Sequence, residues 1–159
     1  MGYWEKQGAS DEWYTPREVF DALGCVFDMD VAAPANGAPH VPARRILSER
    51  SLETPWNGFI WMNPPFGGRN GLVPWLDKFI QHGNGIALVP DRTSAPWFQE
   101  AFVRVDGVLF TRKLKFLRPD GSVGNSPSNG TALLALGGQG LDALRRASDG
   151  GFGILAVPE

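Results

Sequence analysis

Cysteine is almost missing from this chain: Cys25 stands alone among 159 residues. One thiol cannot close an internal disulfide or build a cysteine zinc cluster, and Cys25 reads as a small packing residue rather than a nucleophile. Histidine is nearly as scarce. His40 and His82 lie in loop-like sequence, at no spacing that pairs either with a cysteine or carboxylate as metal ligands. No metal site is expected. No apolar run approaches the ~20 residues that cross a bilayer, and the polar residues 1–11 lack the apolar core of a secretion signal. A cytoplasmic protein without membrane attachment is expected. A strong excess of either charge is missing too. Fifteen Lys and Arg against 17 Asp and Glu leave a net charge of −2. That balance excludes a uniformly basic nucleic-acid binder but leaves room for a local basic patch.

Glycine and proline, by contrast, are plentiful, at 20 and 13 residues, and they cut the chain into short elements. Thr15-Pro16 reads as a helix start, with threonine as N-cap, proline at the first helical position and Glu18 at the third. Gly24 ends that helix. Strands are predicted over 26–31, 59–62, 85–90, 105–110, 114–117, 131–136 and 153–157, and helices over 73–80, 95–102 and 141–147. Residues 44–51 are ambiguous. Alternation of strand and helix through the first two thirds implies a largely parallel sheet flanked by helices, with antiparallel strands toward the C-terminus. No linker or repeat interrupts it, so residues 1–159 read as one compact α/β domain, with 1–10 loosely ordered.

Within that pattern, Asn63-Pro64-Pro65-Phe66 follows a buried apolar run. Two consecutive prolines fix two φ angles and hold the residues before them extended. An amide stands in front of this stiff peptide and an aromatic ring behind it. Such a peptide suits a planar ring bearing an exocyclic amino group: the Asn63 oxygen and a proline carbonyl each accept an N–H, and Phe66 covers the ring. The alternative is a strand ending in a proline-stiffened turn. The apolar run favours the first reading, because open α/β sheets place ligands at the carboxyl ends of strands.

A second local feature is Arg112-Lys113-Leu114-Lys115-Phe116-Leu117-Arg118, with four cations in seven residues. Alternation sets Lys113 and Lys115 on one face and Leu114 and Phe116 on the other. An edge strand that uses lysines against aggregation has the same appearance.

The order of features resembles the amino-methyltransferases, and most closely the compact phage-type DNA N-6-adenine methyltransferase family. The resemblance spans roughly residues 11 to 136. It rests on Asp11-Glu12-Trp13-Tyr14-Thr15-Pro16, on Phe27-Asp28-Met29-Asp30-Val31-Ala32-Ala33 and on Trp61-Met62-Asn63-Pro64-Pro65-Phe66. Leu88-Val89-Pro90 with Trp97-Phe98, and Lys115-Phe116 followed by Gly121 and Pro127, extend it. Two departures stand out. Ala-Ala-Pro-Ala-Asn-Gly occupies the place of the usual glycine-rich loop, and the resemblance implies that this loop and Asp30 line the cofactor pocket; phenylalanine occupies the place of the commoner tyrosine.

The resemblance implies a Rossmann-like methyltransferase fold, S-adenosyl-L-methionine as cofactor and DNA as substrate, single-stranded or duplex with the adenine flipped out. It implies catalytic roles for Asn63, Pro64, Pro65 and Phe66, and cofactor contacts from Tyr14, Thr15, Pro16, Asp30, Ala32, Ala33 and Asn63. Glu49 or Glu53 would hold the cofactor ribose. Substrate contacts are implied for Phe66, Arg92, Trp97, Arg112, Lys113 and Lys115, with recognition coming from the loops 67–71 and 91–96 or from a second copy of the chain. The chain is then a monomer or homodimer, acting in a bacterial cytoplasm if a phage encodes it. RNA adenine, cytosine N4 or a glutamine side chain as substrate, and a degenerate non-catalytic nucleic-acid-binding module, are the competing readings.

Overall fold

The structure is a computed structural model that describes residues 14–35, 37–38, 40–65, 71–118, 120–124 and 130–158. In chain order its elements are helix α1 (Arg17–Leu23), strands β1 (Phe27–Asp30) and β2 (Ala43–Ile46), a 3-10 turn (Ser51–Glu53), strand β3 (Ile60–Met62) and helix α2 (Val73–His82). Strand β4 (Gly85–Pro90), helix α3 (Pro96–Phe102), strands β5 (Gly107–Thr111) and β6 (Thr131–Leu136), helix α4 (Gly138–Asp149) and strand β7 (Gly153–Ala156) follow. Among the described residues no helix is long and apolar enough to cross a membrane.

The two most apolar strands explain the architecture. Every residue of β6 is buried, as is β4 up to Pro90, and strands with no polar face must be covered on both sides. They lie side by side at the centre of a seven-stranded sheet ordered β2-β1-β3-β4-β6-β5-β7. β2, β1, β3 and β4 pair in parallel, while β4/β6, β6/β5 and β5/β7 are antiparallel. This is the α/β arrangement that the order of elements implied, parallel first and antiparallel toward the C-terminus, and it agrees with the Rossmann-like fold that the resemblance implied.

Alternation along the central strands feeds two cores. Ala87, Val89 and Leu134 pack with Leu76 and Phe79 of α2 and Phe98 and Ala101 of α3. Ile86, Leu88 and Leu133 pack with Val19, Phe20 and Leu23 of α1 and Ala143, Leu144 and Ala147 of α4. Each fully buried large aliphatic or aromatic side chain contributes about 1.5–3 kcal/mol. The sheet edge that carries the functional loops is therefore held by a rigid three-layer body.

Four elements differ from expectation. Helix α1 begins at Arg17 with Pro16, not Thr15, at the N-cap position, and no side chain caps it; the threonine hydroxyl is engaged elsewhere. Residues 43–46 resolve the ambiguous stretch as edge strand β2, whose half-exposed to exposed residues give no alternation to detect. No strand forms at 114–117: Phe110 is the last β5 residue paired with β6, opposite Ala132, and after the Arg112 N–H bond to the Phe152 carbonyl the chain leaves the sheet. Leu117 makes only isolated bridges, to Tyr14 and Val123. Finally, α4 starts three residues early despite its Gly-Gln-Gly opening. A Cβ at Gly140 would stand 2.9 Å from the Gly85 carbonyl oxygen, so helix and sheet approach too closely for a side chain there.

Candidate active site

Asp30 and Asn63 lie about thirty positions apart in sequence, and sheet register brings them to the same edge. β1 and β3 pair in parallel with Asp30 opposite Trp61, and the Val31 N–H donates to the Trp61 carbonyl at 3.0 Å. Their carboxyl ends therefore emerge together. The turn entering β3 is locked by Gly58, at φ +77°, where a Cβ would collide with the Asp28 carboxylate. That carboxylate accepts the Phe59 N–H at 2.8 Å. Pro64 keeps Asn63 extended, so its side chain continues on the same face as Trp61, two residues before it.

A cavity of about 50 Å³ opens at this point. Tyr14, Thr15, Asp30, Ala32 and Asn63, all expected at the site, line it together. Pro34, in the loop that the resemblance implies beside Asp30, lines it too. Trp61, Ala38 and Val41 complete the wall and were missed. For Trp61 a signal was available, its i, i+2 relation to Asn63, but an apolar run reads as core, and Trp61 is indeed 1% exposed. Ala38 and Val41 belong to a loop of small residues with no periodicity to mark them.

Asp30 is 2% exposed. Its Oδ1 accepts the Ala32 N–H at 3.2 Å, and no other donor reaches the carboxylate among the described residues. Burial pushes the carboxyl up to about 6, and the Ala32 hydrogen bond pulls it partly back. A carboxylate held this way is short of cations and donors. On the other wall the Asn63 Nδ2 donates to Thr15 Oγ1 at 3.0 Å, in a residue only 4% exposed. The hydroxyl expected to cap α1 thus holds the amide instead.

The remaining expected residues are scattered. Pro16 and Ala33 are buried but do not line the cavity; the Ala33 N–H donates to the carbonyl of Leu47, just past β2, at 3.0 Å. Pro64 is buried and Pro65 exposed, while Phe66 and most of the 67–71 loop lie outside the described residues. Glu49 and Glu53 are exposed, the latter paired with Arg50 at 3.0 Å; neither lines the cavity. Arg92 is exposed, and Trp97 is half-buried edge-on to Phe98 at 5.6 Å. Burial pushes the Cys25 thiol up to about 11, with Arg146 opposing it, which keeps the thiol protonated.

The basic run sits beside the cavity. β5 runs in the direction of β4, because both are antiparallel to β6, so Arg112 leaves the sheet at the edge where Asp30 and Asn63 emerge. Arg112, Lys113 and Lys115 are exposed, with Leu114 buried and Phe116 half-buried. The alternation of faces holds without the strand ladder. Tyr14 ties the end of the run to the cavity wall through two backbone bonds: Tyr14 N–H to the Leu117 carbonyl at 2.7 Å, and Leu117 N–H to the Tyr14 carbonyl at 2.9 Å.

Comparison with known proteins converges on the same reading. A DNA N-6-adenine-methyltransferase from Escherichia phage T1 is 32% identical over 96 residues, which cover 57% of this chain and 40% of the phage protein. The chain thus spans well under two thirds of that relative. No solved structure matches. The family model for DNA N-6-adenine-methyltransferase (Dam) matches residues 5–137, a segment that holds the cavity, the Asn63 peptide and the basic run; the chain belongs to this family.

Proposed function

We propose that this chain transfers a methyl group from S-adenosyl-L-methionine to the exocyclic N6 amino group of adenine in DNA. The observation that carries this reading is the meeting of the Asn63 amide and the buried Asp30 carboxylate in one cavity. The wall chemistry fits the donor. A carboxylate with one hydrogen bond seeks a cation or hydroxyls, and S-adenosylmethionine offers an ammonium, a sulfonium and two ribose hydroxyls. Tyr14 and Trp61 supply aromatic surface for its purine. Sites that enclose a ligand of this size usually hold about 300–1,000 Å³, so the loop bearing Pro34, Ala38 and Val41 is the wall that would yield. When bound, the donor supplies an electrophilic methyl group on sulfur.

The residues of the chain then have four tasks. The Asn63 oxygen and the Pro64 carbonyl accept the two N–H groups of adenine, which concentrates the nitrogen lone pair and stabilises the positive charge that grows there. The stiffness of the Pro64-Pro65 peptide holds that geometry, and alignment of nitrogen with methyl and sulfur provides most of the acceleration. Arg112, Lys113 and Lys115 hold DNA phosphates next to the cavity, a salt-dependent contribution that carries no sequence information. A base inside a duplex cannot reach this edge, so it is flipped out, with Phe66 replacing the lost stacking.

The test is incubation with methyl-labelled S-adenosylmethionine and DNA, RNA or no nucleic acid, followed by nucleoside analysis by mass spectrometry. Label in N6-methyladenine from DNA is the expected result. Label in N4-methylcytosine or in RNA moves the substrate, and no label with any nucleic acid overturns the reading.

A further inference from the structure

The hydrogen bond between Thr15 and Asn63 reaches beyond a cofactor contact. The two residues are 48 positions apart, on different elements, and the bond of 3.0 Å lies in the cavity wall. An asparagine amide has two unlike edges, and only the oxygen can accept the N–H of a target amine. Turned over, the same side chain would present an NH2 group to an NH2 group and repel the substrate. We propose that Thr15 is a positioning residue: it takes the Asn63 NH2 and so keeps the oxygen edge for the amine.

This inference rests on the methyltransferase reading. Three features of the geometry support it. Thr15 is pinned by Pro16 behind it and by the two backbone bonds of Tyr14 before it, so its hydroxyl is a fixed point, not a mobile partner. Among the described residues the Asn63 amide has no other hydrogen-bond partner, so no other described side chain orients it. The hydroxyl does not cap α1, so the role that the Thr-Pro sequence suggests is not what holds it there. In this arrangement the hydroxyl accepts from Asn63, which leaves the amide oxygen unengaged by Thr15 and available to the amine.

Thr15→Val keeps the shape and removes the acceptor, and Thr15→Ser keeps the acceptor. Single-turnover methylation, calorimetry with S-adenosylmethionine, and the Asn63 side-chain NH2 resonances of 15N-labelled protein separate the outcomes. Expected for Thr15→Val are a rate loss of about tenfold or more, since misplacement near 1 Å costs up to about a hundredfold, and a cofactor affinity within about threefold of wild type. The Asn63 NH2 resonances should move. Thr15→Ser should keep the wild-type rate to within about threefold and leave those resonances in place. In an Asn63→Ala background, Thr15→Val should cost less than about twofold more, because two residues acting through one contact are not additive. A wild-type rate in Thr15→Val, an affinity loss without a rate loss, or an equal penalty in the Asn63→Ala background overturns the assignment. If Thr15→Val does not fold, unmoved Asn63 NH2 resonances together with full activity in Thr15→Ala overturn it. A wild-type chain that methylates nothing overturns the methyltransferase reading itself, which the other outcomes leave standing.

Discussion

Between β1 and β3 the polar groups at the sheet edge are few and buried; beyond β5 they are many and exposed. Asp30 and Thr15 are 2% and 4% exposed, and among the described residues each side chain accepts one hydrogen bond, from Ala32 N–H and from Asn63 Nδ2. Arg112, Lys113 and Lys115 are exposed, and the segment is anchored by the apolar side chains between them and by backbone bonds such as those between Leu117 and Tyr14. The contrast separates two kinds of work. A buried polar group with a single partner is oriented, and losing it is costly because nothing replaces it. Exposed cations are interchangeable, salt-screened and additive. On the proposed function, chemistry falls to the first region and attachment to the second, and substitutions in each should differ in kind as well as in size.

The largest difference should come from Asn63→Ala. Removal of a group that stabilises developing charge typically costs about a hundredfold to a thousandfold in rate, and the methylation rate should fall on that scale. DNA affinity and its salt dependence should stay near wild type. If the rate falls less than about threefold, chemistry does not reside at this edge and the contrast between the regions fails.

Next in size is Asp30→Asn, which sharpens the comparison through pH. The folded-state value of about 6 lies above the ordinary 3.8, so the folded protein binds the proton more tightly than the unfolded chain. Stability from this group is fully present below about pH 4 and is lost as pH rises through 6. The gap amounts to roughly 3 kcal/mol at most. Wild-type protein should therefore lose about 2 kcal/mol from this group between pH 4 and 7, seen in urea unfolding, and Asp30→Asn should abolish that part of the slope. The same substitution should weaken S-adenosylmethionine binding, since the carboxylate is kept ionised at pH 7 against its own desolvation. An identical pH profile in both proteins would show that Asp30 is not buried as described.

The two regions were not equally legible in the sequence. Strands β4 and β6 matched their expected bounds, 85–90 and 131–136, because strands buried on both faces appear as continuous apolar runs bounded by turn residues. Asn63 is placed at the site by its position at the end of a strand, and Asp30, Ala32 and Pro34 by the family resemblance. The Thr15–Asn63 bond was not legible: it depends on which hydroxyl a sheet register brings within 3 Å, and Thr-Pro at a helix start has a local explanation that competes with it. Ala38 and Val41 entered the wall through the path of an irregular loop. In the second region the alternation of faces over 113–116 was readable, but the absence of a ladder was not. Whether a strand finds a partner depends on where β6 begins, and its first residue, Thr131, lies fourteen positions beyond Leu117.

The smallest effect should come from Lys113→Ala with Lys115→Ala, and its smallness is informative. Each phosphate contact adds about 0.9 to the slope of log affinity against log salt. The pair should therefore lower that slope by about 2 and weaken DNA binding by about tenfold near 0.1 M salt, measured by fluorescence anisotropy on a duplex oligonucleotide. Neither side chain is buried, so unfolding free energy should change by less than about 0.5 kcal/mol, and methylation at saturating DNA should hold near the wild-type rate. Leu114→Ala in the same segment should do the opposite. Leu114 is 2% exposed, and its truncation should cost about 2–5 kcal/mol of stability with no direct change in the salt slope. If the double lysine variant loses its rate at saturating DNA while keeping its slope, the segment contributes to catalysis rather than attachment, and the division of labour along the sheet edge is wrong.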